Sequence, residues 1–375
     1  MILPYEQRVR IKIDRSTIRF FAGVFVLIFI LAALFEALFR IPAIQELVPF
    51  QAYGTNHIQF EIQLQNLSKF IIKNGEPNCF ILGNSQSLRS IDPFELGEVF
   101  HQQNGDTLNC YNFSIVGTNI STTLLFSQIL INHYDPELFI VGLSFMDFSE
   151  ARENRYDPRF EENAWIDQQI GRTSLKGWLL EHSYAYRTLI LISYGAPHGM
   201  KYDDISKELR KWNSQLGATG YAHSQNVYPV NEQPKPGFVD NFLDEFGNFS
   251  VSEWNISSLD SMIELANEQD IQVLIVEMPF HPSLLNMPDN SGQTHEKMAD
   301  LKYFIDQVNH RIRDISSEYD IPYWEFQLPG AIEDDGWHDR YHLNSYSSPA
   351  FSQWLAVKMA EALRQGQMNI PSGDP

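Results

Sequence analysis

Cysteine is nearly absent from this chain: 375 residues hold only Cys79 and Cys110. A small fold stapled by several disulfides is therefore excluded. Each cysteine lies at or near the start of a predicted strand. The pair is either one disulfide in an oxidising compartment or two small buried thiols. No group of His and Cys has metal-ligand spacing, so a metal centre is not expected. Basic residues are also scarce, with 27 Lys and Arg against 47 Asp and Glu and a formal net charge of −20. Nucleic acid and anionic surfaces are poor partners for so acidic a chain. Internal repeats and low-complexity tracts are missing, which argues against solenoid and disordered classes.

Long apolar runs are rare too, and the one present is informative. Phe20 to Phe35 contains no charge, and with Ile18 and Ala37-Leu38-Phe39 it reaches a length that can span a bilayer. Arg8, Arg10, Lys12, Arg15 and Arg19 precede it, against Glu6 and Asp14. This bias predicts a cytoplasmic segment at 1–17, a transmembrane anchor at 18–39 and an exported remainder. A cleaved signal peptide is the alternative; the apolar run is long for one, and its end reads as helix rather than as a cleavage site. Residues 1–40 carry six basic and three acidic side chains, net +3, which leaves −23 on residues 41–375.

Residues 40–74 read as a lead-in, with apolar and polar residues alternating over Ile58–Leu64. Strand–helix alternation follows. Strands are expected at Cys79–Leu82, Leu108–Ile115, Leu138–Leu143, Ile271–Glu277 and Ile321–Phe326. Asp92-Pro93 opens a helix, with Asp at the cap and Pro at the first position. The last helix shows Phe351, Trp354, Leu355, Met359 and Leu363 as a core stripe. Residues 147–250 interrupt the alternation with an aromatic-rich insertion that includes Trp165, Trp178, Tyr184, Tyr186 and Tyr194 and a loop over Tyr228–Pro236. Its aromatics form either a small local core or a stacking surface for sugars. The pattern predicts a three-layer, flavodoxin-like α/β domain over 75–365 with a parallel sheet, and a tail at 366–375. In such sheets, sites lie beyond the carboxyl ends of the strands. Ser85, Gly117, Ser144 and His281 all fall there.

Two short motifs carry the chemistry. Gly83-Asn84-Ser85 follows the first strand and exposes a hydroxyl. Asp339-Arg340-Tyr341-His342, near the other end of the chain, sets a carboxylate three residues before an imidazole. A serine hydroxyl needs a base to become a nucleophile, and that base needs an acid to orient it. Ser85, His342 and Asp339 are the candidates for these three roles. The competing reading makes Ser85 a helix cap and Asp339-His342 a surface pair.

The two motifs, in this order on an alternating α/β chain, resemble the SGNH (GDSL-type) hydrolase and acyltransferase superfamily. The resemblance implies an oxyanion hole from the N–H of Ser85, the N–H of Gly117 and a group after strand three. Where the superfamily has Gly-x-Asn-Asp, this chain has Gly142-Leu143-Ser144-Phe145, so Ser144 takes the place of the asparagine. The anchor, Gly83-Asn84-Ser85-Gln86 with Arg89-Ser90-Ile91-Asp92-Pro93, and Asp339–Asn344 together resemble membrane-anchored proteins of cell-surface polymer modification. Those include the D-alanine transfer protein of teichoic acids and the alginate O-acetylation proteins. This implies an extracytoplasmic acyltransferase or esterase working on a glycan or its acyl donor, without a cofactor, often beside a membrane-bound O-acyltransferase. The alternative is a non-catalytic surface protein with a degenerate site. Arg89 either holds an anionic group of the substrate or pairs with Asp92. His281 either lines the pocket or is a loop histidine, and His338 is expected to be exposed.

Overall fold

Five short strands form one parallel sheet in the order β2-β1-β3-β4-β5, where β1 is Cys79–Gly83, β2 Cys110–Asn112, β3 Leu138–Leu143, β4 Gln272–Glu277 and β5 Tyr323–Trp324. This is a computed structural model describing residues 14–41, 44, 51–153, 160, 162–193, 202–227, 243–244, 249–281, 284, 292–325, 332 and 334–369. The strand order is the flavodoxin-like one, with its reversal between β1 and β3.

The strands read as continuous apolar runs because both faces are covered. Alternate residues serve two cores. Phe80, Leu82, Phe139, Val141, Val273 and Ile275 face one side, which is covered by α2 (Ile58–Asn74), α5 (Ile120–His133), α10 (Glu253–Asn267) and α11 (Gly292–Glu318). Cys79, Ile81, Leu138, Ile140, Leu274 and Val276 face α4 (Pro93–Asn104) and α12 (Ser348–Arg364). The three-layer expectation therefore holds. The helix after Asp92 forms as read, with the Asp92 carboxylate accepting the Phe94 N–H at 3.0 Å.

Three elements differ from the sequence reading. The alternating stretch Ile58–Leu64 is helix, part of α2, and it is sealed in the interior. Phe60 enters the main core while Gln59, Glu61 and Gln63 are also buried, because backbone polar groups from elsewhere need partners there. Glu61 accepts from the N–H groups of Tyr53 and Thr55, and Gln59 accepts the Val116 N–H at 2.9 Å. The lead-in thus belongs to the core of the domain. Strand two is only Cys110–Asn112; the chain then bends so that Phe113 and Ile115 donate to Ile81 and Gly83 as single bonds. Strand five shortens to Tyr323–Trp324, and its expected last residue, Phe326, lies outside the described residues. Cys79 and Cys110 are register partners on neighbouring strands and form a disulfide.

α1 (Arg15–Phe39) stands apart, apolar and exposed on all sides except at Glu36 and Phe39. Among the described residues it is the one helix long and apolar enough to cross a membrane, by length and composition. Arg8, Arg10 and Lys12, which carry much of the basic bias, lie outside the described residues. The insertion contributes α6 (Ala164–Gln169), α7 (Leu175–His182), α8 (Tyr184–Ser193) and α9 (Tyr202–Gln215). Its Trp165 packs on Tyr53 with ring centres 4.5 Å apart and joins the main core instead of a local one. Tyr194 and the loop at Tyr228–Pro236 lie outside the described residues.

Candidate active site

The Ser85 side of the site begins with two glycines. A Cβ on Gly83, whose φ is +142°, would stand 2.3 Å from Ser87 Oγ and 2.5 Å from the Gly142 carbonyl oxygen. A Cβ on Gly142 would meet the same hydroxyl at 2.2 Å. With both absent, α3 (Ser85–Ser90) settles onto the ends of β1 and β3, and Ser87 Oγ donates to the Gly142 carbonyl at 3.0 Å. Asn84 caps α3 by accepting the Gln86 N–H at 2.8 Å. Ser85 therefore takes the first helical position, where its own N–H has no partner within the helix. Its side chain is half-buried.

The acid–base side is a loop before α12. His342 Nε2 lies 2.8 Å from Ser85 Oγ, and His342 Nδ1 lies 2.8 and 2.9 Å from the two Asp339 oxygens. A carboxylate can only accept, so Nδ1 carries the proton and Nε2 presents its lone pair to the serine hydroxyl. Asp339 also accepts the backbone N–H groups of Tyr341 at 2.8 Å and His342 at 3.0 Å. Burial pushes the Asp339 pKa up, but the His342 hydrogen bond and charge, with the Tyr341 N–H, outweigh it and hold the group below the ordinary carboxylate value. The chain thus brings Ser85 into one hydrogen-bonded line with a histidine 257 positions away.

That line opens onto a cavity of about 390 Å³. Its walls come from three strand ends: Asn84–Gln86 after β1, Gly117–Asn119 after β2, and Met146 and Asp147 after β3, with Tyr341 and His342 opposite. Gly117 has φ +77°, a conformation in which a residue with a side chain is strained.

Other expected site residues stand differently. Ser144 does not line the cavity. It is 2% exposed, its hydroxyl accepts the Met146 N–H at 3.3 Å, and its own N–H donates to Asp147 Oδ2 at 2.9 Å, so it caps a short 3-10 turn, Phe145–Phe148. His281 is buried against Trp337, with ring centres 5.3 Å apart, and its backbone N–H donates to the Arg340 carbonyl at 2.8 Å. It supports the Asp339–His342 loop from beneath and is not on the cavity wall. Arg89 makes no ion pair with Asp92 among the described residues, since Asp92 is spent on its helix. Arg89 Nη1 is buried without a hydrogen bond, and burial lowers its pKa against the opposing charge of Asp339. His338 is half-buried rather than exposed, with Nδ1 2.5 Å from Ser224 Oγ.

Several contributors were not visible in the motifs. Asn84 Nδ2 donates to Asp147 at 2.8 and 3.0 Å, tying the nucleophile turn to the end of β3. Asn119 lines the cavity. Its Oδ1 accepts from Thr122 N–H and from the Ser121 and Thr122 hydroxyls, which fixes the amide's orientation because a backbone N–H can only donate. Its Nδ2 is left buried and without a hydrogen bond among the described residues. A polar residue two places after a positive-φ glycine was the available signal. A segment of the insertion also straps across the site. The Asn112 N–H donates to the Thr219 carbonyl and the Ala222 N–H to that of Leu88, while Ser224 exchanges hydrogen bonds with Ser345 at 2.7 Å in each direction. Gly220 allows this approach, since a Cβ there would lie 2.1 Å from the Asn112 carbonyl oxygen.

A 2-1-3-4-5 parallel sheet, a serine after β1, a glycine after β2 and an Asp-x-x-His loop before the last helix now stand together. The fold is a parallel α/β sheet that gathers these groups at the carboxyl ends of its strands. No protein-family model matches the chain, and no curated protein matches it. Solved structures do. A putative acylhydrolase from Bacteroides fragilis aligns over 81% of this chain and 97% of its own, at 12% identity and TM-score 0.33. A GDSL-like lipase from Bacteroides thetaiotaomicron aligns over 82% and 98%, at 11% identity and TM-score 0.33. At such values they carry no argument about this chain, and what its site can do follows from its own atoms.

Proposed function

We propose that the protein is a serine acyltransferase or esterase anchored in the cell membrane, with its N-terminus in the cytoplasm and its α/β domain outside. The observation that carries the chemistry is the unbroken line Asp339–His342–Ser85 opening onto the cavity beside Gly117. Ser85 Oγ attacks the ester carbonyl and its proton passes to His342 Nε2. The N–H groups of Ser85 and Gly117 face the charge on the carbonyl oxygen. Collapse expels the alcohol, which takes the proton from His342 and leaves acyl-Ser85. An incoming hydroxyl, of a glycan or of water, then gives its proton to His342 and attacks the acyl group; collapse breaks the acyl–Oγ bond, and Ser85 takes the proton back from His342 as the product leaves.

Asn119 is the candidate third oxyanion donor, in place of Ser144. The degenerate-site alternative drew on Ser144 standing where an asparagine belongs, and Asn119 supplies an amide from the end of β2, on the other side of β1. The Cys79–Cys110 disulfide and the basic flank before α1 support an oxidising, extracytoplasmic location. The glycan substrate and a membrane-bound O-acyltransferase partner are proposed from the motif resemblance alone.

The test is intact-mass analysis of the full chain after exposure to p-nitrophenyl acetate, beside Ser85→Ala and His342→Ala. One acetyl adduct on the wild type, lost in Ser85→Ala, is the expected result. Ester turnover without an adduct, lost in both variants, points to hydrolysis. An adduct that persists in Ser85→Ala would remove Ser85 from the mechanism.

A further inference from the structure

The insertion carries an apolar face at the point where α1 meets the domain. Glu36, near the end of α1, accepts the Ser183 hydroxyl at 2.7 Å and the N–H groups of Tyr184 and Ala185 at 3.2 Å, so it caps the start of α8. Arg40 donates to the His182 carbonyl at 3.0 Å and lies over the Tyr184 ring, 5.5 Å from its centre. The end of the anchor is thus fastened to the α7–α8 hairpin by charge-assisted hydrogen bonds rather than tethered by a loose linker.

The hairpin presents large apolar side chains outward. Leu175 and Trp178, three apart on α7, are 75% and 50% exposed; Leu189 and Ile192, three apart on α8, are 54% and 72% exposed. Residues at this spacing share one face of a helix. Trp178 stacks on His182, the residue whose carbonyl receives Arg40. Exposed Arg172 and Lys176 flank Leu175, in a domain whose net charge is otherwise strongly negative. Tryptophan beside aliphatic side chains and basic residues is the composition of a surface at lipid headgroup level.

We propose that the α7–α8 hairpin seats the domain on the bilayer, with Leu175, Trp178, Leu189 and Ile192 in the headgroup–acyl boundary. The occupant is lipid because this face adjoins α1, whose predominantly apolar 24-residue stretch Ser16–Phe39 is largely exposed. At about 1.5 Å per residue that helix is long enough to cross the hydrocarbon. The inference rests on the reading of α1 as an anchor. On its other side α8 sends Ile190 and Leu191 into the small cluster that also holds Val116, the residue before Gly117. Seating the hairpin therefore sets the height of the Ser85 cavity above the membrane.

The test uses the full chain in phosphatidylcholine–phosphatidylglycerol nanodiscs, spin-labelled singly at Leu27→Cys, Leu175→Cys, Trp178→Cys, Ile192→Cys or Tyr303→Cys. Collision with oxygen and with a water-soluble nickel chelate is measured. Tyr303, exposed on α11, reports the water-facing side. Labels at 175, 178 and 192 are expected to be several-fold less accessible to nickel than the label at 303, while remaining accessible to oxygen. Nickel access equal to that at 303, with Leu27 still lipid-protected, overturns the seating and leaves the anchor intact. Protection from both reagents shows a protein surface covering the patch and overturns lipid as the occupant. If the Leu27 label itself collides freely with nickel, the anchor reading fails first.

Discussion

The two sides of the Ser85–His342 line are built by different means. The nucleophile side is local: a glycine at the end of β1, another at the end of β3, and a short helix lying on both. The His342 side is a loop between a short 3-10 turn and α12, and its supports come from distant parts of the chain. Ser224 lies against His338, Ser345 exchanges hydrogen bonds with Ser224, and Tyr221 donates to Ser348. A serine can be presented by strand-end geometry alone, because two glycines permit the close approach. An imidazole aimed at it needs support from several directions, and here part of that comes from the insertion.

The largest effect should come from breaking the line itself. Ser85→Ala and His342→Ala are each expected to lower ester turnover by roughly 10⁴-fold or more, with the double variant little worse than either. Additive losses in the double variant would mean that the two residues do not act as a unit. Next, Gly83→Ala should destabilise the domain by roughly 2–4 kcal/mol, since the new Cβ would meet backbone as well as Ser87. Denaturant midpoints measure this, and an unchanged midpoint would show that α3 does not need the close approach.

A sharper contrast lies between two polar residues after β2 and β3, the strands on either side of β1. Asn119→Ala should cost about a hundredfold in kcat, as removal of an oxyanion donor does. Ser144→Ala should leave kcat within a few-fold and cost about 1 kcal/mol of stability, as loss of a cap does. The reverse pattern would restore Ser144 to the oxyanion hole. Ser224→Ala tests the strap: about a tenfold loss in kcat/KM is expected, the worth of one hydrogen bond, with Tm shifted by no more than about 2 °C. A wild-type rate would reduce the strap to packing.

The smallest effect is a pH dependence of stability. Burial and then the charge of Arg89 lower the His338 pKa. An unfolded histidine, with a pKa of about 6.5, then takes up its proton before the folded one does as pH falls. Stability is therefore complete above about pH 6.5 and declines below it, down to the folded pKa. Melting curves between pH 7 and 5.5 should show the loss, and His338→Gln should flatten it. Asp339 acts in the same direction at lower pH: its depressed pKa means that its contribution is lost only as pH falls below about 4.

Much of this was legible in the sequence. Apolar strand runs between helices specify a covered parallel sheet, because a strand buried on both faces has no polar side to show. Gly83-Asn84-Ser85 and Asp339–His342 could be picked out because each sets its polar groups within three or four residues. Residues whose roles are set across the chain were harder to see. Ile58–Leu64 alternates like a strand and folds as helix, since Gln59, Glu61 and Gln63 are buried to serve backbone groups of other segments. Ser144 sits where an oxyanion donor would stand, yet the start of a 3-10 turn claims its hydroxyl, while Asn119 beyond β2 keeps an amide unspent.

By itself the sequence determined the sheet, the apolar helix and the two reactive motifs, because periodicity and close spacing act over a few residues. Tertiary structure decided which amide borders the cavity, that His281 supports the loop from below, and that the insertion both straps His338 and meets the end of α1. Those outcomes depend on which buried donors find acceptors after the chain has closed on itself, and no window of sequence contains both partners.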